Sequence, residues 1–232
     1  MKLAIISDIH GNLYALMKVL EDIEDQRVDS TICLGDLVGY GPHPNEVISM
    51  IKRRNILCLK GNYDASVVDE SYTYIRETPT NSFSLPWAVS ELRAANKFYL
   101  DSLPLSMTLD FNGKTIKFVH GSTNSISEYL LENEDNTASA MASLKEDILV
   151  CAHTHIPCIK EFGSKLFINS GSVGKPKIRT PDATYCILDI DRDGNSKAII
   201  RHVPYEYKKI VKDMTMLKFP SSLVRSVENG IE

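Results

Sequence analysis

The chain has 232 residues, 43% of them hydrophobic and 24% charged, which is enough apolar mass for a substantial core within the usual size of one α/β domain. A formal net charge of -4 with scattered lysines and arginines excludes the concentrated positive field that duplex nucleic acid demands. The five cysteines are odd in number and lie mostly in apolar runs, which points to a reducing cytoplasm, and no apolar run is long enough for a signal core or a membrane span, so no membrane partner is expected.

Residues 2–7 form a short apolar run that predicts a buried strand, after which Leu13, Leu16, Met17, Leu20 and Ile23 recur at helical spacing behind Asn12 as N-cap. Residues 31–34 predict a second strand, and Val47, Ile48 and Ile51 mark the buried stripe of a helix opening after Pro44. Residues 56–59 read as a third strand. Such alternation predicts βαβ units and a largely parallel sheet. Residues 65–82 read as irregular, with one helix expected from about Pro86 to Leu100. Asn112-Gly113, between LSMTLDF and KTIKFVH, is the strongest hairpin signal, because both residues tolerate the positive φ of a type I′ turn. A helix near 138–145, a strand at Ile148–Cys151 and hairpins at Gly163-Ser164 and Asp193-Gly194 follow. From about Glu206 the chain reads as a helical tail, peripheral to a single domain spanning residues 1–232.

Several of these apolar runs end in a side chain able to bind metal: Asp8 with His10, Asp36 in LGDLVGYG, Asn62 in KGNYD, His120 in FVHGS, and His153 with His155 in CAHTHIP. Carboxyl ends of strands are where open α/β sheets build their sites. Taken singly, an Asp or Asn after a strand is ordinarily a turn or cap residue, and a lone His a satisfied half-buried one. His-x-His is more specific, since alternate residues of an extended chain point the same way. Glycines beside the candidates (Gly11, Gly35, Gly61, Gly121) suit tight turns.

The ordered series DIHGN, GDLVGYGP, GNYD, VHGS, AHTHIP and NSGSVGKP resembles the signature of the calcineurin-like metallophosphoesterase family: Asp-x-His, Gly-Asp, Gly-Asn-His-Asp, a lone His and Gly-His-x-His. It is most similar to the small prokaryotic phosphodiesterase branch, from residue 1 to about 205. The resemblance implies an α/β fold, a four-layer α/β/β/α sandwich with two facing mixed sheets. It implies that Asp8, His10 and His155 hold one metal, Asn62, His120 and His153 a second, and that Asp36 bridges both. Two divalent transition-metal ions (Mn, Fe, Zn, Co or Ni) suit these donors better than calcium. A water bridging the ions would be the nucleophile attacking a small phosphate ester, nucleotides among the candidates.

Two residues depart from the signature. Ala152 replaces the Gly before His153, and Tyr63 stands where the family has His, a poorer acid that leans the expectation toward phosphodiesters. Tyr63 either fills the slot of a missing acid or stacks on a nucleobase. Asp64, counted with Asp36, Asn62 and Tyr63 among the catalytic candidates, otherwise caps the next segment. Asn12, Tyr63, Lys175 and Arg179 are the substrate-binding candidates, although Asn12 equally reads as a helix cap and exposed cations such as Lys177 are common without function. The alternatives are a phosphomonoesterase, a dinucleoside-polyphosphate hydrolase, or a non-catalytic protein-binding scaffold of the kind the family also contains. The presence of every ligand type favours an enzyme. Oligomeric state carries no signature in the sequence.

Overall fold

In the computed structural model, which describes residues 1–231, the first third of the chain alternates strands and helices. These are β1 (Lys2–Ile6), α1 (Leu13–Gln26), β2 (Ser30–Cys33), α2 (Pro44–Arg53), β3 (Leu57–Cys58) and α3 (Asn62–Asp69). Next come α4 (Pro79–Glu91), α5 (Ala94–Asp101), β4 (Ser106–Phe111), β5 (Lys114–Val119), α6 (Asp135–Ser143), β6 (Ile148–Cys151), β7 (Cys158–Phe162) and β8 (Lys165–Asn169). The chain then forms β9 (Ala183–Ile190) and β10 (Ser196–Val203) and finishes in α7 (Tyr207–Met216) and α8 (Ser221–Asn229). The strands make two five-stranded sheets, ordered β10-β9-β1-β2-β3 and β4-β5-β6-β8-β7. Each is mixed: β1, β2 and β3 are parallel, as are β5, β6 and β8, while β9, β10, β4 and β7 are antiparallel additions.

Side-chain alternation along the strands sets the layers. Leu3 and Ile5 of β1 face the second sheet and pack with Ile116, Phe118, Ile148, Val150 and Ile168. Ala4 and Ile6 face the other way, into a layer with Leu16, Val19, Val47, Ile48 and Ile51 of α1 and α2. On the far side Leu149, Cys151 and Phe167 pack against Ala140 and Met141 of α6. The result is the expected α/β/β/α sandwich. Strands covered on both faces read as continuous apolar runs, which is why KLAII and ILVC do not alternate with polar residues. Each fully buried aliphatic side chain here contributes roughly 1.5–3 kcal/mol.

The hairpins lie where turn chemistry put them. Asn112 (φ 50°) and Gly113 (φ 77°) join β4 to β5 with Phe111 opposite Lys114, and Gly163 and Gly194 lie in the β7–β8 and β9–β10 turns. Three expectations are corrected. The single helix over 86–100 is two helices: Pro79 sits in the first turn of α4, where a missing N–H costs nothing, Thr78 caps it, and the chain breaks in extended conformation at Leu92 and Arg93 before α5. The helix near 138–145 starts earlier, at Asp135. The tail beyond Glu206 is not peripheral. Ile210, Met214, Phe219, Leu223 and Val227 are buried among Tyr14, Phe83, Trp87 and Tyr205. The Phe219 ring lies 5.0 Å from that of Phe83 and 4.7 Å from that of Trp87. Asp213 anchors α7 by accepting from Tyr14 Oη at 2.7 Å and facing His43 Nε2 at 3.1 Å. Among the described residues no helix is long and apolar enough to cross a membrane.

Candidate metal centre

Because β1, β2 and β3 run one way together, as do β5 and β6, their carboxyl ends deliver side chains to shared edges of the sandwich. Asp8 and His10 follow β1, Asp36 follows β2, Asn62 opens α3 after β3, His120 follows β5, and His153 and His155 follow β6. Asp8, His10, Asp36, His153 and His155 all adopt left-handed backbone conformations, with φ between 49° and 66°. For residues other than glycine each such conformation costs roughly 1–3 kcal/mol, and its concentration here marks a place where position outweighs stability. The loops also touch: a Cβ on Gly35 would lie 2.3 Å from the Gly61 nitrogen, and one on Gly61 would lie 2.1 Å from Asp36 Oδ1.

The imidazoles are oriented by backbone carbonyls. His10 Nδ1 lies 2.9 Å from the Val38 carbonyl, His120 Nδ1 2.9 Å from that of Leu34, and His155 Nδ1 2.5 Å from that of Lys175. A carbonyl only accepts, so each Nδ1 carries the proton and each Nε2 lone pair faces inward. His10 Nε2 and His155 Nε2 consequently face each other at 3.2 Å. Asp8 Oδ1 lies 3.3, 3.8 and 3.9 Å from the Nε2 atoms of His155, His10 and His120. Asp36 Oδ2 lies 3.6 Å from His10 Nε2 and 3.5 Å from His120 Nε2. Asn62 Oδ1 faces His120 Nε2 at 2.8 Å, lone pair toward lone pair. His153 is turned the other way. Its Nε2 meets the Ser127 carbonyl at 3.1 Å and leaves Nδ1 as its remaining ring nitrogen, while its backbone N–H donates to Asp8 Oδ2 at 3.2 Å.

Divalent cations fit this arrangement. Opposed lone pairs repel, and Asp8 Oδ1 is buried with no hydrogen-bond partner among the described residues, a costly state for an ionised oxygen. Two donor groups emerge, Asp8 with His10 and His155, and Asp8 with Asp36 and His120, each with its donor atoms within 4.8 Å of one another. Asp8 thus belongs to both, as well as Asp36 lying between His10 and His120. Asn62 and His153 adjoin the second group through His120, whose ring is 5.2 Å from that of His153. Burial, helped by neighbouring histidines, lowers the basicity of His10 and takes His153 down to about 3, so these imidazoles stay neutral as ligands must. Burial works to raise Asp8, but His155, His120 and His10 together hold it well below the usual carboxylate range. Burial and the charges of Asp64 and Asp8 push Asp36 well above that range.

Of the other expected residues, Tyr63 and Lys175 line the cavity shared with the donors, and Asn12, Asp64 and Arg179 do not. Asp64 does not orient a catalytic side chain: Oδ2 accepts from the backbone N–H of Asp36 (2.8 Å) and Gly61 (3.0 Å), and Oδ1 from Leu37 (2.9 Å) and Val38 (3.3 Å). It cradles the Asp36 loop. Tyr63 is 1% exposed, donates its N–H to Asp36 Oδ1 at 2.8 Å, and points its hydroxyl at Asn81 Oδ1, 3.3 Å away. Its ring packs edge-on to His10 and against Tyr40 and Gly39, which leaves no face for a nucleobase, and burial raises the phenol further from any acid role. Asn12 is spent on protein: Oδ1 caps α1, and Nδ2 donates to the Gly174 carbonyl and Tyr205 Oη, each at 2.9 Å. Arg179 is exposed, outside the cavity lining, with its N–H on the Gly230 carbonyl at 2.7 Å. Lys175 is buried beside the centre, its ammonium 5.1 Å from the Tyr40 ring centroid.

A cavity of about 580 Å³ opens above the donors. Its floor includes His10, Asp36, Asn62, His153 and His155; its walls include Tyr74 and Arg76 from the strap before α4, Tyr129, Lys177, and Ser222 and Ser226 of α8. The sequence placed selectivity in the irregular 65–104 region, which contains the strap, but it singled out no strap residue and nothing in α8, because neither carries a motif and both reach the site only through tertiary packing. A second open hollow of about 540 Å³, beside Leu13, Asn45, Met50 and Arg93, holds none of the donors.

A buried set of histidine and carboxylate donors at the ends of parallel strands in a four-layer sandwich defines a metallophosphoesterase type of centre, and comparison with known proteins agrees. Residues 1–193 match the calcineurin-like phosphoesterase superfamily domain, and the chain belongs to that family. It is 33% identical to the uncharacterized protein MJ0912 of Methanocaldococcus jannaschii, covering 95% of each chain. It is 28% identical to phosphodiesterase YfcE of Escherichia coli over 82% of this chain and 89% of that one. The crystal structure of a metallophosphoesterase from Sphaerobacter thermophilus superposes with a TM-score of 0.83 at 28% identity, covering 100% of this chain and 99% of its own.

Proposed function

We propose that the protein is a cytoplasmic, two-metal phosphoesterase that hydrolyses small phosphate esters and prefers phosphodiesters. The observation that supports this is the inward convergence of His10 Nε2, His155 Nε2 and the unpartnered Asp8 Oδ1, an arrangement that bound cations would relieve. In this reading Asp8, His10 and His155 hold one ion, Asn62, His120 and His153 the other, and Asp36 lies between them. Imidazole with oxygen donors suits Mn, Fe, Zn, Co or Ni. Bound, two such ions supply a nucleophile from water near neutral pH and neutralise charge on the phosphoryl oxygens. The chain's own part is to present neutral imidazoles, to hold the Asp36 loop through Asp64, and to wall off bulk water with the strap and α8.

The diester preference is supported by Tyr63. With its hydroxyl on Asn81 and its acidity lowered by burial, it offers no proton to a leaving group, and esters whose departure needs little protonation are favoured. Free cysteines, four of the five buried, suit the cytoplasm. We further take the chain as one domain, α7 and α8 included, since these helices share a buried cluster with α4.

The test is turnover by Mn²⁺-reconstituted protein of bis(p-nitrophenyl) phosphate against p-nitrophenyl phosphate. A higher kcat/KM for the diester is expected; hydrolysis of neither by fully metal-loaded protein would overturn the proposal. Asp36→Asn and His120→Ala should each lower diester turnover by several orders of magnitude with the fold intact, as judged by circular dichroism.

A further inference from the structure

We propose that the mouth of the cavity is a second anion subsite built on Arg76, so that the favoured esters carry negative charge beyond the scissile phosphoryl group. This deepens the phosphoesterase reading and rests on it. A cavity of about 580 Å³ is the size that encloses a drug-sized molecule, far more than a phosphoryl group fills. Among the described residues its lining includes Arg76, Lys175 and Lys177 and one carboxylate, Asp36, which sits at the floor. In a chain of net charge -4 that concentration of cations is local rather than compositional.

Arg76 is placed for this role by residues next to the donors. Asn62 Nδ2 donates to the Tyr74 carbonyl at 3.1 Å and Asn81 Nδ2 to the Arg76 carbonyl at 2.7 Å, while Tyr63 Oη bonds Asn81. The strap backbone is therefore pinned over the site, and the Arg76 side chain stays exposed. Its guanidinium lies 5.8 Å from the centroid of Tyr129, whose ring packs 4.2 Å from that of His153. One aromatic ring separates this cation from a candidate metal ligand. At 5.8 Å the cation–π contact is near its outer limit, so little is lost when the side chain turns to a ligand. Among the described residues the guanidinium has no hydrogen bond or ion pair and lies only over the Tyr129 ring. A planar fork of donors suits a phosphate oxygen pair. A solvated surface arginine would explain the exposure but not the pinned backbone or the place in the lining. The substrate class is a polyphosphorylated ester, such as one with pyrophosphate linkages or a second phosphate.

The experiment compares wild type, Arg76→Ala and Arg76→Lys, all loaded with Mn²⁺. Diadenosine tetraphosphate and the singly charged bis(p-nitrophenyl) phosphate serve as substrates, and methylenediphosphonate and methylphosphonate as non-hydrolysable ligands in calorimetry with excess Mn²⁺. Wild type should favour the tetraphosphate in kcat/KM and the diphosphonate in affinity. Arg76→Ala should cut both preferences about 10- to 100-fold, the loss of one charge-assisted pair, with partial retention in Arg76→Lys. Equal losses on singly and multiply charged partners would reduce Arg76 to a shaping role and overturn the proposal, as would a wild type without either preference. If no ester is cleaved, the phosphoesterase reading fails, and the calorimetry alone decides the subsite.

Discussion

A carboxylate that accepts four backbone N–H groups cannot be removed without leaving several of them buried and unsatisfied, and Asp64 is such a group. Each orphaned donor costs roughly 1–3 kcal/mol. Asp64→Ala should therefore destabilise the fold by about 3 kcal/mol or more in urea titration and weaken metal binding as the Asp36 loop loosens. A variant of wild-type stability would contradict the cradle. The same geometry decides Tyr63→His: with both Asp64 oxygens committed, nothing orients the new imidazole. The ratio of monoester to diester turnover should then change by less than about threefold, whereas an installed general acid would raise it by about 10² or more. The candidate donors were legible in sequence because each follows a strand and the series occurs in order, and the structure brings Asp8, His10, Asp36, His120 and His155 together. Asn12, Tyr63 and Arg179 were legible only as residue types, since which partner a polar side chain chooses depends on neighbours such as Gly174, Asn81 and Gly230 that are distant in sequence.

Between elements, helix α1 is tied to the first sheet through Asp22, which accepts from Tyr185 Oη at 2.6 Å and from Arg201 Nη2 at 2.8 Å. Burial opposes ionisation of Asp22, but Arg201 and Tyr185 outweigh it and hold its pKa below the ordinary carboxylate value. A carboxyl depressed in the folded state stabilises above the unfolded pKa of about 3.9 and loses that contribution as pH falls through the folded value. Asp22→Asn should thus cost about 1 kcal/mol or less at pH 7, the partly exposed Arg201 being screened by solvent, with the difference fading as pH falls below the unfolded value and through the lower folded one. Helix α8 depends on Phe219, which is buried between Phe83 and Trp87. Phe219→Ala should destabilise by about 3–5 kcal/mol and raise KM more than it lowers kcat, because a cavity wall is loosened while the donors stay in place. The helices of residues 79–101 and the strap before them were the least legible elements. Pro79 read as part of an irregular stretch and Pro86 as a helix start, yet Pro79 opens α4 and Pro86 lies within it. The role of α8 was illegible because its amphipathic pattern reports burial, not what it is buried against.

For the whole molecule, the two sheets place two sets of parallel strand ends face to face, and neither set alone contains a full complement of donors: Asp8, His10, Asp36 and Asn62 come from the first, His120, His153 and His155 from the second. Strand–helix alternation and the turn signals gave the parallel units and the hairpins, and the family resemblance gave the sandwich, whereas the pairing of β9 and β10 with β1 rather than with the second sheet carries no local sequence signal. Ions shared across the sheet interface should also stabilise the fold by linkage, so chelation should lower Tm and Mn²⁺ restore it. The most direct test of the central claim is the metal content and anomalous scattering of crystals of Mn²⁺-reconstituted protein. The account predicts two ions per chain, one beside Asp8, His10 and His155 and one beside His120, Asn62 and His153, with Asp36 between them; protein that takes up no metal at these residues, or holds it elsewhere, would contradict it.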